Sequence, residues 1–302
     1  MNTLDIVIVS HNVKYLLLDC LKSVFYTKEE DDSWEVIVID NASTDGTVDA
    51  VAQKFPNVRI IASKENLGFA KGNNLARKVS RAENVLFLNP DTKIADKVIQ
   101  KSLKILENKK DLGAVGCRVM LPNGKIDYSC HRGLPTIWNT FSYWLGLSKL
   151  FPKFKIFAGY TATYLDYKKS SEIDCISGTY LLIRRSVLNE INWWDEDYFW
   201  NGEDIEMCYQ IIKHGWKIWY DADAEILHFK GSSSGFWPTA KTSVPKETSL
   251  RAARSAARVM NTFVKKHWRE LGPAPIIALV WAGIWILEKF RLSKLKLGLK
   301  YA

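Results

Sequence analysis

The run VLFLNPDT (85–92) carries four apolar residues with the character of a buried strand straight into Asn89, Pro90 and Asp91. A carboxylate at such a strand end can hold a ligand, or it can simply shape a turn. Two other apolar runs end in the same way. EVIVID closes on Asp40 and is followed by Asn41, Ser43, Thr44, Asp45 and Gly46, while VRIIAS is followed by KENLGFAKGNN. Turns and N-caps use these residue types as readily as ligand loops do, but three such ends at one edge of one sheet favour a ligand. Farther along, NGEDIEMCYQIIKHG places Glu203 and Asp204 in the first turn of a helix that Asn201 can cap and Gly215 can close. Acids there meet the helix dipole favourably, and a carboxylate can also take up a proton. His228, between Leu227 and Phe229, reads as either a core residue or a ligand.

The first half of the chain supplies a frame for these loops. DIVIVS, EVIVID, VRIIAS and NVLFLN are short strand-like runs, and YLLLDCLKSVFY, TVDAVAQKF, GNNLARKVS and KVIQKSLKILEN follow them as helices. This alternation predicts a parallel sheet covered by helices on both faces, with ligands beyond the carboxyl ends of the strands. No G-x-x-x-x-G-K-[ST] loop is present and NLGFAKGNN only weakly imitates a dinucleotide fingerprint, which disfavours nucleotide hydrolases and dehydrogenases.

Composition bounds the rest. At 302 residues, 47% hydrophobic and 25% charged, the chain can bury a substantial core. Its five dispersed cysteines form no C-x-x-C pair and fit a reducing compartment, and LDIVIVS near the start has no signal-peptide pattern. The net charge of +9 sits in residues 246–302, with 12 Lys+Arg against 3 Asp+Glu; the remainder holds 30 of each. A neutral body with a basic tail rich in Trp and Leu points to an anionic membrane surface in preference to nucleic acid. Residues 274–287 are uncharged, but as a helix they reach only ~21 Å against the ~30 Å of a bilayer core, so interfacial or re-entrant attachment is expected. The segment 120–173 alternates aromatic and basic residues, with Trp138, Phe141 and Leu145 on one helical face. It reads as a satellite hydrophobic cluster or as an acceptor- or membrane-facing surface.

Taken in order, VIVSHN, VIDNASTDGT, NLGFAKGNN, FLNPDT, DCISGTYLLIRRSVL, WWDEDYFWNGEDIEMCYQIIKHGW and EILHFKGSS resemble the family 2 glycosyltransferases of GT-A fold, and most of all the bacterial rhamnosyltransferase-like branch of cell-surface polysaccharide synthesis. The resemblance covers about residues 4–234. It implies that Ser10, Asn12, Asp40, Asn66, Gly68 and Asn73 line the cleft for a nucleoside diphosphate sugar. Asn89 and Asp91 would stand in the family's D-x-D element. Asp91 and His228 would hold Mg2+ or Mn2+ on the diphosphate, and Asn89, a departure from the pattern, adds no charge there. Displacing the diphosphate from the anomeric carbon needs a base, and the resemblance assigns Asp204 that role with Glu203 as a positioning residue. Gly178, Thr179 and Trp194 would meet the acceptor.

The expected fold is therefore a mixed, mainly parallel α/β sheet flanked by helices. Residues 1–240 form the catalytic domain, with a nucleotide-sugar half at 1–119 and an acceptor half at 120–240. A basic helical region at 241–302 associates with the membrane. The expected activity is inverting, metal-dependent transfer of a sugar, rhamnose among the candidates, to a glycan or lipid-linked acceptor at the cytoplasmic face of the cell membrane. A catalytically inactive nucleotide- or glycan-binding module and a sugar nucleotidyltransferase are the alternatives. The second would want a glycine-rich triphosphate loop that VIVSHNVKY lacks.

Overall fold

The computed structural model describes residues 2–199, 201–229 and 246–296. In chain order the elements are β1 (Leu4–Ser10), α1 (Lys14–Tyr26), β2 (Trp34–Asn41), α2 (Thr47–Lys54), β3 (Arg59–Ser63), α3 (Gly68–Leu75), β4 (Asn84–Leu88), β5 (Thr92–Ile94), α4 (Val98–Asn108) and β6 (Leu112–Met120). They continue through α5 (Ile137–Trp144), α6 (Leu147–Leu150), α7 (Lys155–Ala158), β7 (Ser171–Glu172), β8 (Tyr180–Arg184), α8 (Arg185–Glu190), α9 (Glu203–Lys213), β9 (Lys217–His228), α10 (Lys246–Leu271) and α11 (Ala274–Lys296). The expected strand–helix rhythm is present through α4. The third helix starts at Gly68, earlier than its apolar spacing suggests.

The strands form one sheet in the order β3-β2-β1-β4-β8-β6-β9-β5, with β7 beside β9. β1 is buried along its whole length, as expected for a parallel strand covered on both faces. The ladders β1–β2, β1–β4, β2–β3 and β6–β9 are parallel, and those of β8 with β4 and β6, of β5 with β9 and of β7 with β9 are antiparallel. Because β8 runs against both β4 and β6, β6 and β9 run the same way as β4. The carboxyl ends of β1, β2, β4 and β9 and the start of β8 therefore share one edge of the sheet. The segment between β6 and β7 departs from the sheet as the small helices α5–α7.

The C-terminal hairpin packs on this body. Phe263 of α10 joins the main core, and Val264, Ile277 and Ile284 form a second small core with Ile137 of α5 against it. No helix among the described residues is long and apolar enough to cross a membrane. The expected boundary at residue 240, and Lys300 of the basic tail, lie outside the described residues.

Candidate active site

Parallel pairing brings Ser10 and Asp40 side by side at the ends of β1 and β2. Both are buried, and Ser10 Oγ and Asp40 Oδ1 have no hydrogen-bond partner, while Asp40 Oδ2 accepts from the Ser43 N–H at 2.9 Å. Buried polar atoms are almost always satisfied, so two adjacent orphans at a strand edge are groups a ligand would complete. Asn12 Oδ1 accepts from the Thr44 N–H at 2.8 Å and Asn12 N–H donates to Ser43 Oγ at 2.9 Å, tying together the loops beyond β1 and β2. Asn66 Oδ1 accepts from the Gly68 N–H at 2.9 Å, an Asx turn that opens α3. Gly68 has φ +76°, and a Cβ there would run into the Phe199 carbonyl, so only glycine lets that loop close over α3. Asn73 is buried and its side chain donates back to the Phe69 carbonyl. Of the expected donor residues, Ser10 and Asp40 thus present chemistry, whereas Asn12, Asn66, Gly68 and Asn73 build the walls.

At the end of β4, the Asn89 N–H donates to the Thr179 carbonyl at 3.0 Å, joining the NPD turn to the start of β8. Asp91 is buried with its Oδ1 3.2 Å from His228 Nε2, and the pairing of Thr92 with His228 across β5 and β9 brings the two together. His228 Nδ1 lies 3.5 Å from Oδ2 of Asp127, a buried carboxylate whose Oδ1 accepts from both Ser129 N–H and Oγ. Burial pulls the His228 pKa down, but hydrogen bonds to Asp127 and Asp91 outweigh it and the net shift is upward. Among the described residues no cluster of three metal-ligating side chains stands ready to hold an ion. The pair nonetheless fits a divalent cation. Two cis ligands at bond lengths of ~2.1 Å lie roughly 3 Å apart, and Mg2+-type sites use one or two protein ligands with phosphate oxygens and water completing the shell. A carboxylate behind the distal imidazole nitrogen is what fixes a metal-binding histidine's tautomer.

The acid pair opens α9. The cap differs from expectation: Gly202, with φ +86°, occupies the N-cap without a side-chain bond, and Asn201 itself has φ +67°. A Cβ on Gly202 would collide with Val259 of α10, so close packing of the C-terminal hairpin takes the place of a capping side chain. Gly215 (φ +86°) closes the far end as expected. Asp204 Oδ1 accepts from the Ile205 N–H at 2.8 Å and its Oδ2 accepts from Arg132 Nη2 at 2.7 Å. Glu203 is buried with Oε2 unpartnered, and burial, reinforced by the Asp204 charge, pushes its carboxyl pKa up to about 8. One turn on, buried Glu206 faces His267 of α10 at 2.9 Å and accepts from Tyr198 Oη at 3.1 Å and Gln210 Nε2 at 2.8 Å. Burial raises its pKa, but the bond to His267 leads the opposing contacts and the net shift is down.

The acceptor residues divide. Thr179 is buried and its N–H donates to Ser177 Oγ, and a Cβ on Gly178 would meet the Phe69 and Trp194 rings at ordinary contact distance. The Trp194 ring, expected to meet the acceptor, does not present a face to the cleft. It is 2% exposed and packed edge-on against Phe69 and Phe87, so hydrophobic burial has taken it into the floor, leaving only an orphan indole N–H. Sequence reasoning missed Asp127 and Arg132. The signal for Asp127 was faint, an acid two residues before Ser129 in what reads as a turn; Arg132 gave none beyond its charge.

The chain is 29% identical over 211 residues to an N-acetylglucosaminyl-diphospho-decaprenol L-rhamnosyltransferase of Mycobacterium tuberculosis, covering 66% of this chain and 68% of that one. It is 25% identical over 234 residues to the rhamnosyltransferase WbbL of Escherichia coli K12, covering 74% and 82%. In fold it is similar to a mannosyltransferase from Pyrobaculum calidifontis solved with GDP-Man and Mn2+, at a TM-score of 0.59 and 18% identity over 97% of this chain and 73% of that one. This likeness establishes the expected GT-A architecture. The family model of glycosyl transferase family 2 matches residues 5–192, and the chain belongs to that family.

Proposed function

We propose that this glycosyltransferase takes a sugar from a nucleoside diphosphate donor and places it on a lipid-linked or glycan acceptor, with inversion at the anomeric carbon. The observation that carries the reading is the pair of orphaned buried atoms, Ser10 Oγ and Asp40 Oδ1, at the same sheet edge as Asp91 and His228. The nucleoside would complete Ser10 and Asp40. Asp91 and His228 would hold Mg2+ or Mn2+, which when bound supplies positive charge to the departing diphosphate. Asp204 would accept the acceptor hydroxyl's proton as that oxygen attacks, its rotamer set by Arg132 and the Ile205 N–H. A single displacement of this kind inverts the centre. The M. tuberculosis relative's name supports a lipid-linked acceptor and a rhamnosyl donor. Such an acceptor would place the enzyme at the cytoplasmic face of the membrane.

A panel of nucleoside diphosphate sugars tests this by calorimetry with Mn2+, followed by product anomer analysis. Binding of one donor class, weakened by Asp40→Ala, is expected. Absence of any nucleotide binding overturns the reading, and donor binding without hydrolysis or transfer would favour the inactive binding module.

A further inference from the structure

Exposed large hydrophobic side chains are not spread over this protein. Of 19 among the described residues, nine lie between Trp138 and Ile156 and six between Ile276 and Phe290. Contiguous apolar surface on this scale marks an interaction site, whereas scattered residues do not. The two segments touch: a Cβ on Gly283 of α11 would press on the Trp144 ring of α5, and Ile137 of α5 packs with Ile277 and Ile284. We propose that α5–α7 and α11 together form one face that seats the enzyme on an anionic lipid bilayer, lying in its surface without crossing it.

Charge selects the occupant. Residues 128–165 contain four Lys+Arg and no Asp or Glu, and Lys149, Lys153 and Lys155 are exposed beside Leu150, Phe151 and Phe154. Residues 274–296 contain four Lys+Arg against Glu288 alone. Aromatic and basic residues mixed in this way, without carboxylates, suit the headgroup region of an anionic leaflet. Leu279 and Ile286, seven residues apart on α11, are 72% and 57% exposed and share one stripe. Attachment to the cleft is direct. Arg132, at the root of the insert, holds Asp204, and the adjacent Gly133 N–H donates to the Tyr160 carbonyl at 2.9 Å. Seating this face would therefore bring a lipid-linked acceptor to Asp204, a consequence that rests on the transfer reading above.

The test is co-sedimentation of the full chain with vesicles of phosphatidylglycerol and phosphatidylcholine against phosphatidylcholine alone. Binding to the anionic vesicles that falls with salt is expected, as is a loss of about tenfold in each of two surface variants, Leu150→Gln/Phe154→Gln in the insert and Leu279→Gln/Ile286→Gln in α11. Unaltered binding by the insert variant overturns the composite face, and equal binding to both vesicle types overturns the role of charge. Absent vesicle binding with a dimer that Leu279→Gln/Ile286→Gln dissolves would make the face a contact between copies of the chain, and also overturns the proposal. Nucleoside diphosphate binding with Mn2+ in solution should be unchanged in both variants. Its absence alongside intact vesicle binding would sink the transfer reading and leave the seating face standing.

Discussion

Ser10 and Asp40 owe their positions to seven consecutive register pairs between two neighbouring buried strands, whereas Asp204 is held from outside its helix, by Arg132 at 2.7 Å and by the packing of Val259 on Gly202. The nucleotide side of the cleft is thus a product of local chain order. The acceptor side is assembled from the insert, α9 and the C-terminal hairpin, segments far apart in sequence. Close-packed parallel strands leave little freedom at their ends, but a helix N-terminus tied by an ion pair and one glycine contact depends on distant partners staying in place. Damage on the acceptor side should therefore lower turnover and spare donor binding.

The largest effect should come from Asp204→Asn. The substitution keeps size and the Ile205 bond but removes basicity and the charge that faces Arg132, so turnover should fall by about 10²-fold or more while donor affinity hardly changes and the melting temperature falls. Steady-state kinetics with calorimetric donor titration measure both. A loss of donor affinity as large as the loss of turnover would break the proposed division between the two sides. Next comes Asp127→Asn. If Asp127 orients His228 toward a cation shared with Asp91, Mn2+ affinity in the presence of a nucleoside diphosphate should fall about 10- to 100-fold, with activity recovering at high Mn2+. Electron paramagnetic resonance of free Mn2+ reads the affinity without reference to catalysis, and an unchanged value would mean that Asp127 does no more than cap the turn at Ser129.

These two residues also show what was legible in the sequence. Asp204 and Asp91 stand in motifs whose order along the chain identifies the family, and the β-branched runs that position Ser10 and Asp40 alternate with helices plainly enough to predict the sheet edge. Asp127 meets a histidine about a hundred residues later, and Arg132 meets Asp204 across 72. Pairings of that range leave no periodicity in one sequence. The same reason explains Asn201 and Trp194. An asparagine before two acids reads as an N-cap until a valine from α10 requires glycine beside it, and the ring of Trp194, expected to meet the acceptor, is buried by Phe69 and Phe87.

A smaller effect on catalysis should follow from cutting the hairpin's hold on α9. His267 and Glu206 form a buried pair, and Lys266 adds bonds to Asp195 and Asp197 at 2.6 and 2.5 Å. His267→Ala leaves buried Glu206 with the Tyr198 and Gln210 bonds alone and should cost about 3 kcal/mol of stability, within the range for broken buried pairs. Below the melting transition, turnover should drop by about threefold to tenfold with donor KM unchanged, since the acids at the start of α9 lose support while the β1–β2 edge does not. A matching rise in donor KM would show that the hairpin braces both sides of the cleft.

The smallest effect on activity sharpens the comparison most, because it separates the two acids that one helical turn places together. With its carboxyl pKa pushed up to about 8, Glu203 holds its proton at neutral pH, and glutamine reproduces that neutral form. Glu203→Gln should therefore change turnover at pH 7 by less than about threefold, against the hundredfold expected of its neighbour. Its signature is in stability. Unfolded, the carboxyl releases its proton near its ordinary 4.5, whereas folded it keeps it to about 8. Between those values Glu203 binds more proton in the folded chain than in the unfolded one, so its contribution to stability is greatest below about 4.5 and falls as pH rises, with a slope from this group of up to about 1.4 kcal/mol per pH unit. The variant has no such titration, and its urea midpoint should decline less between pH 5 and 8. Parallel declines in the two proteins, with a large loss of turnover in Glu203→Gln, would move the proton-accepting role from Asp204 to Glu203.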